Sequence, residues 1–440
     1  MKNHKEKIHF IGIGGIGVSA LAQYYFKKGA EVSGSDLASS EITDFLKKSG
    51  IKISIGKNRS ENLPENADLV IYSPAVTKDN PERKRAKERG IETKSYPEAL
   101  GGLTKEYFTI AVSGAHGKST TTSMISLVLI EAGLDPTVVI GTKLKEFGNT
   151  NFRMGKSRYL VIEADEWQAS FLNYWPQIIV LTNIDREHLD YYKDLNHILR
   201  TYKEYVSHLP AEGILVANND NDNIRKLISK SKLQVKKYSL KQKEAEKIKE
   251  ILKVPGKHNV YNALAVLELA RVLNIPDKIT LKALSQYKGA WRRFEEERIK
   301  INNSQLIVIS DYGHHPTEIK ATLEAAREKF KNKKIWCIFQ PHQYQRTFYL
   351  FSDFVKVFSK APADKIIITD IYDVAGREKK NIKEKINSHI LVQKIKKPSV
   401  IYLPKKEIAS YIKKNIKDIE VLIIMGAGDI YGLEKDLIKR

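Results

Sequence analysis

The chain has 440 residues, 42% of them apolar and 29% charged, and its 74 Lys and Arg residues against 52 Asp and Glu residues give a net charge of +22. At about 150 residues per domain this length predicts about three domains, and the apolar content excludes a disordered chain. The sequence has one cysteine, Cys337, which excludes an internal disulfide, and no apolar run of the roughly 18 residues that a membrane-spanning helix needs. Without a signal-peptide core, we expect a cytoplasmic protein with no membrane partner and with Cys337 as a buried strand thiol.

The excess of basic residues is a reason to consider nucleic-acid binding. The lysines are scattered along the chain and concentrated in residues 226–257 and 379–415. No segment alternates basic and aromatic residues, and no helix-turn-helix pattern is present. A solvated lysine-rich surface explains the charge, so we predict no nucleic-acid partner.

Strand and helix patterns alternate from the N-terminus. The first part contains a predicted helix at 17–29 and predicted strands at 7–13, 31–34, 68–73 and 92–94. An apolar strand at 107–112 opens a second part with strands at 159–162, 178–181 and 213–217, a polar surface segment at 229–251 and a helix at 259–273. A third part begins near residue 298, with strands at 305–310, 334–339, 365–369, 400–403 and 420–425. The alternation predicts an α/β fold with mostly parallel sheets and domains at 1–104, 105–298 and 299–440.

The first candidate site is a glycine-rich turn between a predicted strand and a predicted helix. It consists of Gly12, Ile13, Gly14, Gly15, Ile16 and Gly17. Glycines let the backbone approach a phosphate, whose charge meets the helix N-terminus. Asp36, 19 residues after Gly17, ends the next strand, where an acid can accept from a ribose hydroxyl. The pattern predicts a nucleotide or dinucleotide site, with a purely structural glycine turn as the alternative.

The second candidate site follows the apolar strand at 107–112 and ends like a Walker A loop. It consists of Gly114, Ala115, His116, Gly117, Lys118, Ser119 and Thr120. Backbone amides would cradle phosphates, Lys118 would neutralise their outer oxygens, and the Ser119 hydroxyl would reach Mg²⁺. The loop has two fewer residues between its glycines than the standard pattern, yet the Gly-Lys-Ser end keeps the phosphate geometry. We predict binding of ATP or GTP.

Further polar residues lie at strand ends in the second and third parts. Glu163 begins the acidic string Glu-Ala-Asp-Glu and is a candidate Mg²⁺ ligand, and His188 follows the next strand. Asn262 opens a helix, where capping is the alternative reading, and Arg292 and Arg293 either reach a phosphate or are surface charge.

Three loops of the third part follow successive predicted strands. They carry Asp311, Tyr312, His314 and His315, then the segment 340–346 with Arg346, then the segment 426–429. Because open α/β sheets bind ligands at the carboxyl ends of their strands, these loops predict one concave binding edge.

Taken in chain order, these motifs resemble the Mur ligase family over residues 9–430. The resemblance implies a Rossmann-like first domain that binds UDP, a central P-loop-type ATPase and a Rossmann-like third domain that brings the amino acid. It implies that ATP phosphorylates the lactyl carboxylate of UDP-N-acetylmuramate and that the amine of L-alanine attacks the acyl phosphate, in peptidoglycan precursor synthesis. The glycine turn would then serve a UDP-sugar and not NAD.

The resemblance also implies residue roles. The Mg²⁺ ligands would be Ser119, Glu163 and His188, and ATP would meet the loop 114–120, Asn262 and Arg293. Catalytic roles fall on Lys118, His188, Asp311, His314 and Arg346. Substrate contacts fall on Gly12, Gly14, Gly15, Ile16, Gly17, Ser35, Asp36, Ser73, Tyr312 and His315.

Three positions depart from the family pattern. Ser119 stands where threonine is usual, which retains the hydroxyl. Trp291 precedes the paired arginines, and Gln343 replaces an arginine that helps hold anionic groups. L-alanine remains the expected amino acid, with glycine or serine as alternatives.

Competing readings are a sister ligase that uses a tripeptide, a nicotinamide dehydrogenase and a nucleic-acid-binding NTPase. Asp-Tyr-Gly at 311–313 favours the L-alanine enzyme over the tripeptide enzyme. A dehydrogenase would leave Lys118 and Ser119 without a role, and a nucleic-acid-binding NTPase would not explain the loops of the third part. The sequence leaves open whether the chain is a monomer or a dimer.

Overall fold

The computed structural model describes residues 5–229, 231–301, 304–374 and 380–438. Residues 1–4, which precede the first predicted strand, lie outside the described ranges. The chain divides into two compact units. The first comprises Met1–Ile184, Leu199–Gln242 and Ala263–Leu284, and the second comprises Asp185–Ile198, Lys243–Asn262 and Ser285–Arg440.

The first unit begins with a parallel sheet, which has five strands within residues 5–106 in the order β3-β2-β1-β4-β5. The strands are β1 Lys7–Ile11, β2 Glu31–Asp36, β3 Lys52–Ile55, β4 Leu69–Tyr72 and β5 Glu92–Ser95, and the helices are α1 Ile16–Lys27, α2 Glu41–Lys48, α3 Pro81–Glu88 and α4 Tyr96–Glu106. Strand order reverses between β1 and β4, so the loops that follow these two strands meet at a switch point where ligands bind.

The second sheet also belongs to the first unit and, in the described part of residues 107–242, has seven strands in the order β12-β11-β10-β6-β9-β7-β8. Its pairs are parallel except β7 with β8. The strands are β6 Phe108–Ser113, β7 Thr137–Leu144, β8 Thr150–Arg153, β9 Tyr159–Ala164, β10 Ile178–Leu181, β11 Ile214–Asn218 and β12 Gln234–Tyr238. The helices that follow in the chain are α5 Lys118–Glu131, α6 Leu195–Val206, α7 Asp222–Ile228, α8 Glu244–Ile251, α9 Lys257–Val272 and α10 Asp277–Gln286.

The third sheet lies in the second unit. Among the described residues from 285 onward it has six strands, in the order β13-β14-β18-β15-β16-β17. Only β13 runs antiparallel to its neighbour among these paired strands. The strands are β13 Glu295–Ile301, β14 Ser304–Asp311, β15 Ile335–Phe339, β16 Lys365–Ile368, β17 Val400–Tyr402 and β18 Val421–Met425. The helices are α11 Pro316–Lys329, α12 Tyr344–Tyr349, α13 Phe351–Lys360, α14 Lys380–Lys383, α15 Ser388–Ile395, α16 Lys405–Lys414 and α17 Leu433–Ile438.

Three mostly parallel sheets with helices between their strands confirm the α/β class. Cys337 is fully buried in β15, as expected. The segment 229–251 lies at the surface, as predicted, since only Tyr238, Ala245 and Ile248 are buried among its described residues. It also contains edge strand β12 and helix α8, which the sequence did not indicate. The limits proposed at 104 and 298 stay predictions. Within the described ranges, no helix is both long and apolar enough to cross a membrane.

Candidate active site

The segment 114–120 connects the central strand β6 to helix α5 and has a fixed backbone. Gly114 has φ +134° and Gly117 has φ +82°, a region that favours glycine. A Cβ on Gly114 would lie 2.1 Å from Thr182 Oγ1, so a larger residue has no room. The His116 N–H donates to Asn183 Oδ1 at 2.9 Å, and the Thr182 hydroxyl donates to the His116 carbonyl at 2.7 Å. Residues after β10 therefore hold this loop in shape at the N-terminus of α5, where backbone amides favour an anion.

Lys118 is a cation of this loop, and only 11% of its side chain is exposed. Its Nζ donates to the Gly114 carbonyl at 2.6 Å and to Glu166 Oε2 at 2.8 Å, and it lies 3.5 Å from Asp165 Oδ1. Burial alone lowers the pKa of Lys118, but the carboxylates, Glu166 first, raise the pKa above its usual value. Lys118 is therefore charged at neutral pH. Glu166 is the last residue of the acidic string at 163–166, a position that did not by itself reveal its pairing with Lys118.

Ser119 and Glu163, two of the three predicted Mg²⁺ ligands, lie together. The Ser119 hydroxyl donates to Glu163 Oε1 at 3.1 Å, and the Gly141 N–H donates to Glu163 Oε2 at 2.9 Å. A Cβ on Gly141 would lie 2.7 Å from that carboxylate oxygen, so glycine is needed for this approach. A hydroxyl and a carboxylate are hard oxygen donors of the kind that suits Mg²⁺. His188, the third predicted ligand, belongs to the second unit.

The glycine turn after β1 is held by the end of β2. The N–H groups of Gly12 and Ile13 donate to the Ser35 carbonyl at 2.9 and 3.0 Å, and the Gly14 N–H donates to Asp36 Oδ2 at 2.8 Å. A Cβ on Gly14 would lie 2.8 Å from the same Asp36 oxygen. The parallel register, which pairs Ile11 with Ser35, places these groups side by side.

Ser73 follows β4 and borders the same turn, because a Cβ on Gly12 would lie 3.1 Å from the Ser73 Cβ. Gly15, Ile16 and Gly17 open helix α1. The predicted residues of the first site therefore gather at the switch point of the first sheet.

A buried polar network beneath this turn was not anticipated. Glu82 is fully buried, and its Oε2 accepts from the Ser35 hydroxyl at 2.6 Å and lies 2.9 Å from His9 Nε2. His9 Nδ1 lies 2.9 Å from the Ser33 hydroxyl. The Ser35 side chain is thus engaged below the turn, and its carbonyl supports the turn itself.

Asp311 lies at the end of β14 in the second unit and is buried. Its carboxylate accepts from the N–H groups of Phe294 at 2.9 Å and Gly313 at 2.8 Å, and from the Thr322 hydroxyl at 3.3 Å. Burial raises the pKa of Asp311, and those hydrogen bonds oppose the rise. In this arrangement the carboxylate orients the loop that carries the predicted histidines.

His314 is partly buried, with 16% of its side chain exposed, and the loss of hydration lowers its pKa to about 4, so the ring is neutral at pH 7. Its Nδ1 lies 3.1 Å from the Tyr312 carbonyl, which can only accept, so the proton sits on Nδ1 and Nε2 keeps its lone pair. The ring centroid of His342 is 5.9 Å away. His315 instead caps α11, since its Nδ1 accepts from the Thr317 N–H at 3.2 Å.

Tyr312 packs between the paired arginines. The guanidinium carbons of Arg292 and Arg293 lie 5.0 and 4.9 Å from the centre of its ring. Arg292 is almost fully buried and also bonds to the Gly426 carbonyl, so it joins two of the three loops at this sheet edge.

Arg346 and Glu187 form a buried ion pair in the second unit. Arg346 Nε and Nη2 both donate to Glu187 Oε1, at 2.9 and 2.8 Å, and Nη1 donates to the His342 carbonyl at 3.0 Å. Burial alone would raise the pKa of Glu187, but Arg346 and nearby histidines hold it well below its usual value. His188, with φ +55°, directly follows this anchor. Arg346 thereby fixes the segment that carries His188, a link that the sequence did not reveal.

Gln343 is buried beside this pair and begins α12 with φ +75°. It lines a pocket of the second unit together with Glu187, His188, Arg346 and Tyr349. The predicted ATP contact Asn262 is buried in α9, and its side-chain amide donates to Asn259 Oδ1 at 3.4 Å.

A Walker-type loop with a buried lysine and adjacent carboxylates, on α/β sheets, defines the class of nucleotide-using α/β enzymes. Three family models match the chain: "Mur ligase family, catalytic domain" at residues 7–108, "Mur ligase middle domain" at 112–270 and "Mur ligase, glutamate ligase domain" at 292–428. The chain belongs to the Mur ligase family.

Named relatives agree with this assignment over the full length. The UDP-N-acetylmuramate–L-alanine ligase of Acetivibrio thermocellus is 42% identical, with 99% of this chain and 96% of the relative covered. The enzyme of the same name from Alkaliphilus metalliredigens is 40% identical, with 100% and 98% covered. The crystal structure of UDP-N-acetylmuramate–alanine ligase from Thermotoga maritima is 28% identical, covers 98% of each chain and superimposes with a TM-score of 0.80.

Proposed function

We propose that this protein uses ATP to join L-alanine to the lactyl carboxylate of UDP-N-acetylmuramate in peptidoglycan precursor synthesis. The observation that carries the proposal is that one compact unit holds two glycine-rich strand-to-helix turns of different design. The turn at 114–120 has a buried lysine and acids suited to a reacting phosphoryl group. The turn at 12–17 has glycines and Asp36, suited to a UDP-sugar that is held but not cleaved. The names of the relatives supply the substrates.

The first step overcomes the poor electrophilicity of a carboxylate. The γ-phosphoryl group of ATP passes to a lactyl carboxylate oxygen, ADP leaves, and the acyl carbon gains a good leaving group. Lys118 would balance the charge on the transferring group, the main electrostatic task in phosphoryl transfer. Ser119 and Glu163, which lie together, would hold Mg²⁺, and the Mg²⁺ would supply further positive charge at the phosphates. The family resemblance adds His188 to these ligands. Asn262 and Arg293 would contact ATP.

The second step needs an amine without its proton. The L-alanine nitrogen attacks the acyl carbon, a tetrahedral intermediate forms, and phosphate leaves as the amide bond closes. His314 is neutral at pH 7 and carries its proton on Nδ1, so its Nε2 would accept a hydrogen bond from the amine. Its lowered pKa makes it a weak base, so the proton that the amine loses would pass to solvent. Asp311 and Tyr312 would orient this loop, and Arg346 would keep the His188 segment in place.

The test is phosphate release from ATP in the presence of UDP-N-acetylmuramate and one amine at a time. We expect release with L-alanine and little with glycine, serine or the tripeptide. Release that is fastest with the tripeptide would assign the sister ligase, and release stimulated by DNA or oxidation of NADH without L-alanine would contradict the proposal.

We also propose UDP-sugar, ATP and amino-acid domains at 1–104, 105–298 and 299–440, and a cytoplasmic location, where ATP and the UDP-sugar are available.

A further inference from the structure

Tyr96, the first residue of α4, lies against the helix that follows the glycine turn. A Cβ on Gly17 would lie 2.6 Å from Tyr96 Cζ and 2.8 Å from its hydroxyl oxygen. The hydroxyl therefore borders the first turn of α1, where an anion would meet the backbone amides. No hydrogen bond of this hydroxyl to another side chain or to the backbone is found in the described part of the chain.

The same residue lies within electrostatic reach of the acids at the end of β9. Burial raises the pKa of the Tyr96 hydroxyl above its usual value, and the charges of Glu163 and Asp165 add to this rise. Tyr174 is a further titratable group that interacts with Tyr96. The phenol thus keeps its proton and is a neutral donor, which can approach a phosphate without adding charge next to these acids.

Two contacts fix α4 in this position. A Cβ on Gly101 would lie 2.4 Å from the Asn173 carbonyl, so α4 packs directly on the segment that follows the acids. The Trp175 N–H donates to the Thr104 hydroxyl at 3.0 Å. Both contacts join α4 to the chain that continues from Asp165.

Helix α1 is also fixed to the second sheet. The side chain of Asn151 in β8 bonds to the Ile16 carbonyl and to Gln23 of α1, the latter at 2.9 Å. In the next helix, Glu41 pairs with Lys143 of β7 at 2.9 Å, two residues from the Gly141 that contacts Glu163. The glycine turn and Glu163 therefore lie on elements that are bonded to one another. Tyr96 lies against Gly17 and within electrostatic reach of Glu163.

We propose that Tyr96 is a substrate-positioning residue whose hydroxyl donates to a diphosphate oxygen of the UDP-sugar bound at the glycine turn. This inference rests on the proposed function. It gives the turn a side-chain donor in addition to its backbone amides. It also gives the substrate a contact on α4, within electrostatic reach of Glu163 and Asp165.

The test is Tyr96→Phe, which keeps the ring that packs on Gly17 and removes only the hydroxyl. Calorimetry should show binding of UDP-N-acetylmuramate and of UDP weakened about ten-fold or more, as expected for loss of a hydrogen bond to a charged group. ATP affinity and the melting temperature should stay unchanged. The matched control is Tyr25→Phe, which removes a hydroxyl from the other end of α1 and should bind like the wild type.

The outcomes separate this inference from the proposed function. Wild-type protein that fails to bind UDP-N-acetylmuramate would contradict the proposed function. Wild-type binding with equal affinity in Tyr96→Phe would overturn the role of Tyr96. Weaker binding of UDP-N-acetylmuramate with unchanged binding of UDP would place the contact on the sugar and overturn the diphosphate assignment. A fall in melting temperature with proportional losses for UDP and ATP would indicate a merely structural residue.

Discussion

Lys118 Nζ lies 2.8 Å from Glu166 Oε2, and both side chains are almost fully buried. The pair joins the start of α5 to the segment after β9, 48 residues further along the chain. The lysine that would meet ATP is therefore held in place by an acid from another element.

Lys118→Ala should abolish ATP turnover and leave the fold intact. The substitution removes the charge that would stabilise the transferring phosphoryl group, while the loop is still held by Thr182 and Asn183. Phosphate release and circular dichroism measure the two effects. Turnover close to that of the wild type would show that this lysine has no part in the reaction.

Glu166→Gln should make activity fail at a lower alkaline pH than in the wild type. Among the groups that raise the pKa of Lys118, Glu166 has the largest effect. When its charge is removed, burial lowers the pKa of Lys118 against weaker opposition, so this pKa falls. The lysine loses its proton as pH rises through its pKa. A lower pKa therefore moves the alkaline decline of kcat/KM to a lower pH. Glu88→Gln, at a largely exposed glutamate, is the control. If the alkaline decline occurs at the same pH in the variant and the wild type, Glu166 does not control the protonation of Lys118.

Gly14→Val should abolish binding of UDP-N-acetylmuramate. Even a Cβ at this position would lie 2.8 Å from Asp36 Oδ2 and 2.9 Å from Thr43 Cγ2, so the turn must shift. Calorimetry with UDP-N-acetylmuramate, ATP and NAD is the measurement, and ATP binding serves as the internal control. Micromolar affinity of the wild type for NAD would contradict a UDP-sugar site.

Arg346→Met should destabilise the protein by about 3–5 kcal/mol at pH 7, because it leaves Glu187 buried without its partner. In the wild type the pKa of Glu187 is lowered, so its contribution is complete above the unfolded pKa of roughly 4.3 and is lost as pH falls through the folded value. In the variant, burial raises the pKa of Glu187, so this residue takes up a proton as pH falls. The difference in free energy of unfolding between the wild type and the variant should therefore become smaller at lower pH.

Urea unfolding of both proteins between pH 7 and pH 4 measures this difference. A deficit that stays constant over this range would mean that the ion pair does not set the charge of Glu187. The double variant Glu187→Leu with Arg346→Met should recover much of the lost stability, since no buried charge remains.

Gln343→Arg should lower the KM for L-alanine or UDP-N-acetylmuramate. Arginine presents a charged fork to a carboxylate, and one charge-assisted hydrogen bond of about 1.5–3 kcal/mol corresponds to roughly 10–100-fold. Residue 343 borders the pocket that Glu187 and His188 also line, so the new side chain would reach it. Discrimination against glycine should sharpen. Unchanged KM values for both substrates would show that this position does not face either one.

The features that the sequence predicted correctly are local ones. The turns at 12–17 and 114–120 each need glycines, a preceding strand and a following helix, all within a short segment. The long-range polar contacts that hold the site were not predictable in this way. Glu187 meets Arg346 across 159 residues and His9 meets Glu82 across 73, and no periodicity marks such partners.

Edge strands were missed for a related reason. Strand β12 exposes most of its length, including Lys236 and Lys237, so it has no apolar alternation to recognise. Glu163 was placed just beyond a strand, whereas β9 continues to Ala164. The extension follows from pairing with β6 in register, which a single strand cannot reveal.

The solitary, buried thiol of Cys337 simplifies spectroscopy on this enzyme. Burial raises the pKa of this thiol, so it stays protonated and unreactive toward maleimides in the folded state. A cysteine introduced at an exposed site such as Glu65, whose side chain is 93% exposed, would be labelled alone without removing the native one. Fluorescent dyes attached to two cysteines introduced in this way could follow movements of the chain during turnover in single molecules.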